Sequence, residues 1–213
     1  MKLTIGIPTA GMVHVGFMHS VIDLLTSVYT RGLPSRAGEP VQIGLVTEIG
    51  TNWIANREKI ARRAVDEGAT HLLFLDDDMT FEHDVLDVLA RRRVPIAVTN
   101  YLMKTPERDT FVAMALEGGR VATTEADTGL QPIAYSGFGV SLFETRVFKQ
   151  TPQPWFAPDF LPEKSTYSTE DNPFFRRARE AGFEVLLDHD ASKLVTHFGL
   201  GAWDWTDYKH TRS

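Results

Sequence analysis

The run His71-Leu72-Leu73-Phe74-Leu75-Asp76-Asp77-Asp78-Met79-Thr80 constrains this chain more than any other. Its apolar residues follow one another without alternation and stop at charge, the pattern of a strand buried on both faces, as in a parallel sheet. Three carboxylates then leave together from the strand's carboxyl end, the edge at which open α/β sheets bind ligands. Neighbouring acids raise the cost of one another's ionisation, so a cation or hydrogen-bond donors must compensate. Mg²⁺ or Mn²⁺ suits such a site, because a hard cation prefers oxygen ligands and bridges carboxylates to phosphates. A solvated acidic turn that only caps the next helix is the plainer alternative.

The flanking segments fit a parallel sheet. Residues 3–8 form a short apolar strand, and Thr9-Ala10-Gly11 turns the chain out of it. Val15, Met18, Ile22 and Leu25 then recur at spacings of three and four, predicting a helix that packs on that stripe and closes at Arg31-Gly32. A second strand over residues 41–46 ends just before Thr47 and Glu48, and a second helix runs from an N-cap at Thr51 to residue 67. Its stripe is Trp53, Ile60, Ala61, Ala64 and Val65. Arg57 lies on the same face, either snorkelling past the core or meeting an anion at the sheet edge. After the acids, residues 84–90 make a third helix, whose closing Arg91-Arg92-Arg93 complements the helix dipole, and residues 94–99 a further strand. The resulting β-α-β-α-β-α-β pattern predicts helices on both faces of a parallel sheet.

The second half changes character. Residues 111–116 and 120–124 flank Gly118-Gly119, a hairpin signal. Residues 133–143 predict a longer strand broken by Gly137-Phe138-Gly139, where the backbone bends or admits a close neighbour. Residues 151–167 hold four prolines and no periodicity, a loop in which Trp155 and Phe156 either stack on a ligand or anchor the loop. The helix over residues 168–182 tolerates Pro173 only in its first turn, which puts Glu170 and Asp171 at its N-terminus, where capping is their plainest role. Strands over residues 183–187 and 193–196 follow, and the second delivers His197-Phe198-Gly199 into a closing loop with Trp203 and Trp205.

With 213 residues, 43% hydrophobic, the chain is long enough to bury one substantial core, so a single domain over 1–213 is expected. It has no cysteine, which excludes disulfides and thiolate metal sites. Nothing in residues 1–8 resembles a signal peptide, and no apolar run reaches the roughly 18 residues of a membrane span, so a soluble, cytoplasmic protein is expected. A net charge of −6 gives no overall attraction to nucleic acid. His14, His19, His71, His83, His189 and His210 are expected to be structural or solvated.

Taken in order, Asp76-Asp77-Asp78 after an apolar strand, Glu170-Asp171 opening a later helix and His197-Phe198-Gly199 after a late strand resemble a GT-A fold glycosyltransferase. The likeness is to the small bacteriophage-type members related to family 2, and it spans the chain from Ile5-Gly6-Ile7-Pro8-Thr9 to Gly199. It implies an α/β GT-A fold, a mostly parallel central sheet flanked by helices with an antiparallel C-terminal half. It also implies a nucleotide-binding half over residues 1–103 and an acceptor-binding half over 104–213. The implied activity is metal-dependent transfer of a sugar, with inversion, from a nucleoside diphosphate sugar, a UDP-sugar foremost, to an acceptor hydroxyl.

Carried over residue by residue, Asp76 contacts nucleotide ribose or metal, Asp78 and His197 bind Mn²⁺ or Mg²⁺, and Asp171 or Glu170 activates the acceptor. Pro8, Thr9 and Ala10 hold the nucleoside with the region after the second strand, where Glu48 stands in place of the aspartate many members use. Asp77 is counted among the nucleotide-binding residues, and Arg57 adds positive charge near the diphosphate. The residues also fit the chemistry. A departing diphosphate needs a Lewis acid, and an attacking hydroxyl needs a carboxylate to take its proton. Trp155, Phe156 and Phe138 suggest a surface for stacking flat rings or sugars, and Arg176, Arg177 and Arg179 could flank a polyanion. The acceptor is accordingly a saccharide, a small molecule or a hydroxymethylated DNA base flipped from its helix.

Two other functions stay open at this level. Residues 74–80 also match the hhDxDxT signature of haloacid-dehalogenase-like phosphatases, with Asp76 as nucleophile and Asp78 as acid/base. Two βα units precede this signature instead of none, and Asp188-His189-Asp190 is a split version of the later aspartate pair. A non-catalytic nucleotide-sugar binding module on the same fold is the third possibility.

Overall fold

The computed structural model describes residues 1–105, 110–199 and 202–207. In chain order its elements are β1 (Lys2–Thr9), α1 (Val15–Arg31), β2 (Gln42–Ile49), α2 (Trp53–Asp66), β3 (His71–Leu75), β4 (Met79–Phe81), α3 (Val85–Arg91), β5 (Ile96–Val98) and β6 (Leu130–Ile133). They continue with β7 (Val140–Glu144), α4 (Arg146–Gln150), β8 (Phe160–Leu161), β9 (Thr166–Tyr167), α5 (Asp171–Glu180), β10 (Val185–Asp188), α6 (His189–Ser192), β11 (Val195–Phe198) and β12 (Ala202–Trp203). His210 lies outside the described residues.

Among the described residues the main sheet has seven strands in the order β2-β1-β3-β7-β5-β10-β6. β2, β1, β3, β5 and β10 run parallel, while β7, inserted between β3 and β5, and β6, at the far edge, run antiparallel. β3 is central, and Leu72 to Leu75 are fully buried because both of its faces are covered. Leu72 and Phe74 face α2 and an interlocked set of rings that includes Phe138, Phe143, Phe156 and Phe174. Leu73 and Leu75 face α1 and α3 through Leu24, Val28, Leu86 and Leu89. Burial on both sides is why this strand shows no alternation in sequence.

Several local expectations are corrected. α1 buries Phe17, Ser20, Leu24 and Val28, whereas Val15, Met18 and Ile22 are exposed and Leu25 is only partly covered, so the true stripe is rotated from the one the spacing suggested. The N-cap of α2 is Asn52, whose Oδ1 accepts from the Ala55 N–H, and not Thr51. The Gly118-Gly119 turn forms, but its flanks make only an isolated bridge between Met114 and Arg120. The segment over 133–143 is two strands, β6 and β7, separated by the glycines. Trp155 and Phe156 are buried at 2% and 0% exposure, so they anchor the loop and offer no ring to a ligand. Arg176 pairs with Asp159 and Glu180, and Arg177 donates to the carbonyls of Trp155 and Ala157, so these side chains do not form an open basic face. Arg92 does more than complement a dipole, because it forks onto Asp188 and also meets Asp190. Among the described residues, no helix is long and apolar enough to cross a membrane.

β4, a three-residue strand directly after the acids, is not expected from the sequence. It pairs antiparallel with β11, opposing Met79 to His197, and Phe198 N–H donates to the Asp78 carbonyl at 2.7 Å. A strand that begins more than a hundred residues later is thereby tied to the acidic turn.

Candidate active site

The three aspartates leave β3 in three directions. Asp76 turns back onto α2, where Arg57 Nη2 donates to its Oδ2 at 3.0 Å, and Arg57 Nε donates to Glu170 Oε1 at 3.1 Å. The guanidinium is 5% exposed and lies over the Phe138 ring, 4.6 Å from its centroid. Burial opposes its charge, but Asp76 and Glu170 outweigh that and hold it more firmly protonated than usual. Burial also pushes the Asp76 carboxyl above its ordinary range, against the pull of Arg57. Of the two readings of Arg57, the one that meets an anion at the sheet edge is observed. The anions are the protein's own.

Asp77 turns to the loop after β1. Burial pushes its carboxyl up, opposed by hydrogen bonds from the Thr9 hydroxyl and the Ala10 backbone. Thr9 is buried, as is Pro8, and Ala10 is exposed. Pro8 stands beside Glu48 in the β1–β2 register, and the Glu48 carboxylate is 3.6 Å from Lys59 Nζ.

Asp78 turns toward β11. Its Oδ2 is 3.4 Å from His197 Nε2 and 2.5 Å from Lys104 Nζ. Burial would raise this carboxyl, but the bonds from His197 and Lys104 prevail and hold it at about 2. His197 Nδ1 is 2.8 Å from the Leu102 carbonyl, which can only accept, so a ring proton sits on Nδ1 and Nε2 is the nitrogen that faces Asp78. The Tyr101 ring packs edge-on against His197 at 5.0 Å, and its hydroxyl accepts from Gly139 N–H at 3.1 Å. A Cβ at Gly137 would lie 2.1 Å from the Tyr101 hydroxyl, and one at Gly139 2.6 Å from its ring. The close neighbour that these glycines admit is this phenol.

This donor set fits a divalent cation. In an octahedral shell with metal–ligand distances of about 2.1 Å, adjacent donors lie roughly 3 Å apart. A carboxylate oxygen and an imidazole nitrogen facing each other at 3.4 Å approximate that spacing. Asp76 Oδ1, buried at the same turn, lies 2.9 Å from Arg57 Nη2 and is already charge-paired. The side chains do not close a cage by themselves: among the described residues, no three His, Asp or Glu groups are gathered around one point. Of the three residues expected to bind metal, Asp78 and His197 are brought together, while Asp76 is committed to Arg57.

Asp171 and Glu170 open α5 as expected and differ sharply. Glu170 is held by Arg57 and lines the cleft. Asp171 accepts from the Thr169 hydroxyl and from Asn172 N–H at 2.8 Å, and burial pushes its carboxyl above the ordinary range. A cleft of about 210 Å³ is lined by Trp53, Arg57, Asp76, Asp77, Asp78 and Glu170. Trp53 was expected on the buried stripe of α2, yet it is 39% exposed and sits in this cleft. Trp53, Lys104 and Tyr101 are the site residues that sequence reasoning missed. Only Trp53 carried a signal, its place in the first helical turn after a parallel strand, the edge where ligands bind.

The sheet order, the acids at the carboxyl edge and the antiparallel strand between parallel ones define a GT-A glycosyltransferase-type fold. The solved structures it resembles agree. A197 from STIV superposes with a TM-score of 0.58 at 17% identity, over 93% of this chain and 86% of that one. The catalytic domain of Drosophila β1,4-galactosyltransferase 7, crystallised with xylobiose, gives 0.52 at 14% identity, over 93% and 71%. GalNAc-T7, crystallised with UDP, GalNAc and Mn²⁺, gives 0.53 at 11% identity over 89% of this chain, which spans only 42% of that protein. No protein-family model and no curated protein matches the sequence. The fold gives no support to the phosphatase reading, and the side chains speak against it. Asp188 and Asp190 are paired with Arg92, and Asp76, its nucleophile, is paired with Arg57.

Proposed function

We propose that this protein is a glycosyltransferase that moves a sugar from a nucleoside diphosphate donor to an acceptor hydroxyl with inversion. The observation that carries this reading is the meeting of Asp78 and His197 at the carboxyl edge of a GT-A sheet, in a cleft whose other wall is the start of α5. Residues 1–103 hold the nucleotide, through Pro8, Thr9, Ala10 and Glu48, and residues 104–213 hold the acceptor. Asp78 and His197 would hold Mn²⁺ or Mg²⁺, which would supply Lewis-acid stabilisation of the departing phosphate.

The remaining chemistry belongs to the chain. Arg57 fixes Asp76 and Glu170 on opposite walls of the cleft, with Asp76 placed beside the donor. Asp171 takes the acceptor proton; burial raises its proton affinity, which suits a base, whereas Glu170 is tied into an ion pair with Arg57. The acceptor oxygen bonds to the anomeric carbon as the carbon–oxygen bond to the diphosphate breaks with its electron pair. One displacement from the opposite face inverts the centre. The exposed face of Trp53 gives a sugar ring a platform. Because Arg176 and Arg177 of α5 are engaged within the chain, a saccharide or small-molecule acceptor is favoured over modified DNA.

The test is a panel of nucleotide sugars, UDP-sugars first, scored for Mn²⁺-dependent thermal stabilisation and then for transfer. Stabilisation by one nucleoside diphosphate sugar, abolished by Asp78→Asn, is expected. No stabilisation by any donor sinks the reading, and donor binding without transfer or hydrolysis leaves a binding module.

A further inference from the structure

Lys104 stands on the same carboxylate oxygen that a cation would use. Its Nζ is 2.5 Å from Asp78 Oδ2, which in turn is 3.4 Å from His197 Nε2. A divalent ion ligated by these two donors would sit about 2.1 Å from Oδ2, well inside the repulsive reach of an ammonium already bonded to that atom. The two positive charges repel and compete for the oxygen. Arg57, the other cation of the cleft, is fixed by Asp76 and Glu170 and has no such conflict. Lys104 is on a flexible stem, its side chain is 34% exposed, and an ammonium makes point-charge contacts in any direction, so it can leave without backbone movement. The strongest anion it would meet at this edge is a diphosphate, beside the ion that displaced it.

We propose, on the reading of this cleft as a metal and nucleotide-diphosphate site, that Lys104 is an exchangeable cation which occupies Asp78 until a diphosphate draws it away. Metal and nucleotide therefore bind as a coupled pair. Each favours the other, because the diphosphate moves the ammonium off the ligand that the metal needs. By linkage the coupling is reciprocal.

The experiment measures Mn²⁺ affinity by the EPR signal of the free ion, with and without UDP, for the wild type, Lys104→Gln, Lys104→Arg and Lys59→Gln. Without UDP, Lys104→Gln binds Mn²⁺ about tenfold more tightly than the wild type, a coupling of ordinary size. UDP then tightens Mn²⁺ binding markedly in the wild type and much less in Lys104→Gln. Lys104→Arg keeps the wild-type behaviour, as does Lys59→Gln, which removes the same charge from α2. Equal Mn²⁺ affinity of wild type and Lys104→Gln without UDP overturns the proposal, and so does an equal gain in Lys59→Gln. If UDP-dependent Mn²⁺ binding is present and lost in Asp78→Asn, such a result sinks the Lys104 exchange alone. If no variant binds Mn²⁺ even with UDP, the metal reading of the cleft fails and takes the exchange with it.

Discussion

Arg57 bridges Asp76 and Glu170, residues 94 positions apart in sequence, through a guanidinium that is 5% exposed. The acidic turn of β3 and the start of α5 are the two walls of the cleft, and this side chain sets their separation.

Replacing Arg57 leaves two partly buried carboxylates without a counter-charge. Arg57→Met is expected to cost about 3 kcal/mol or more, the usual penalty for breaking a buried ion pair from one side. Arg57→Lys does not rescue it, because one ammonium cannot serve two carboxylates with the fixed fork of a guanidinium. Urea unfolding midpoints report the loss; unchanged midpoints would show that the bridge is ornamental.

Asp171 gives the opposite sign. Burial, the largest influence on it, raises its carboxyl above the unfolded value of about 3.9. As pH rises through that window the unfolded chain ionises first, so the folded state loses stability and keeps that deficit at neutral pH. Asp171→Asn is therefore expected to melt above the wild type at pH 7, with the gap closing as pH falls to about 4. Transfer drops roughly 10²–10⁴-fold in kcat as the general base is removed. A variant that keeps wild-type turnover would move the base elsewhere, to Glu170 first.

Gly139→Ala forces a methyl to within 2.6 Å of the Tyr101 ring. Overpacking of this kind costs about 1–3 kcal/mol, and it displaces the phenol that packs against His197. Mn²⁺ affinity in the presence of UDP should fall with stability. The double substitution Gly139→Ala with Tyr101→Ala relieves the clash, so its stability cost is smaller than the sum of the two single costs; additive costs would show that the ring is not the obstacle.

Trp53→Ala removes a ring that is 39% exposed, so the fold should tolerate it. If the indole is the sugar platform, KM for donor or acceptor rises roughly 2- to 10-fold with little change in melting temperature, and Trp53→Phe recovers most of the affinity. Quenching of the Trp53 fluorescence by ligand in the wild type, absent from Trp53→Phe, is the direct readout.

The sequence by itself determined the central strand and its acids, the succession of β and α units before residue 100 apart from β4, and the position of Glu170 and Asp171 at a helix N-terminus. These follow from local properties, namely burial on both faces of β3, helical spacing, and the restriction of Pro173 to a first turn. Local spacing was less reliable where surfaces stay open. Val15, Met18 and Ile22 satisfy helical periodicity, yet α1 turns Phe17, Leu24 and Val28 inward because those complete the packing over Leu73 and Leu75.

Only the tertiary structure decided who meets whom at the site. The three-residue strand β4 is too short to announce itself, yet its pairing with β11 brings His197 to Asp78 across 119 residues. The seat of Tyr101 on two glycines, the bridge made by Arg57 and the arrival of Lys104 depend on the same kind of long-range placement. Periodicity encodes how deeply a residue is buried; the identity of its distant neighbour is fixed only when strand pairing and core packing close together.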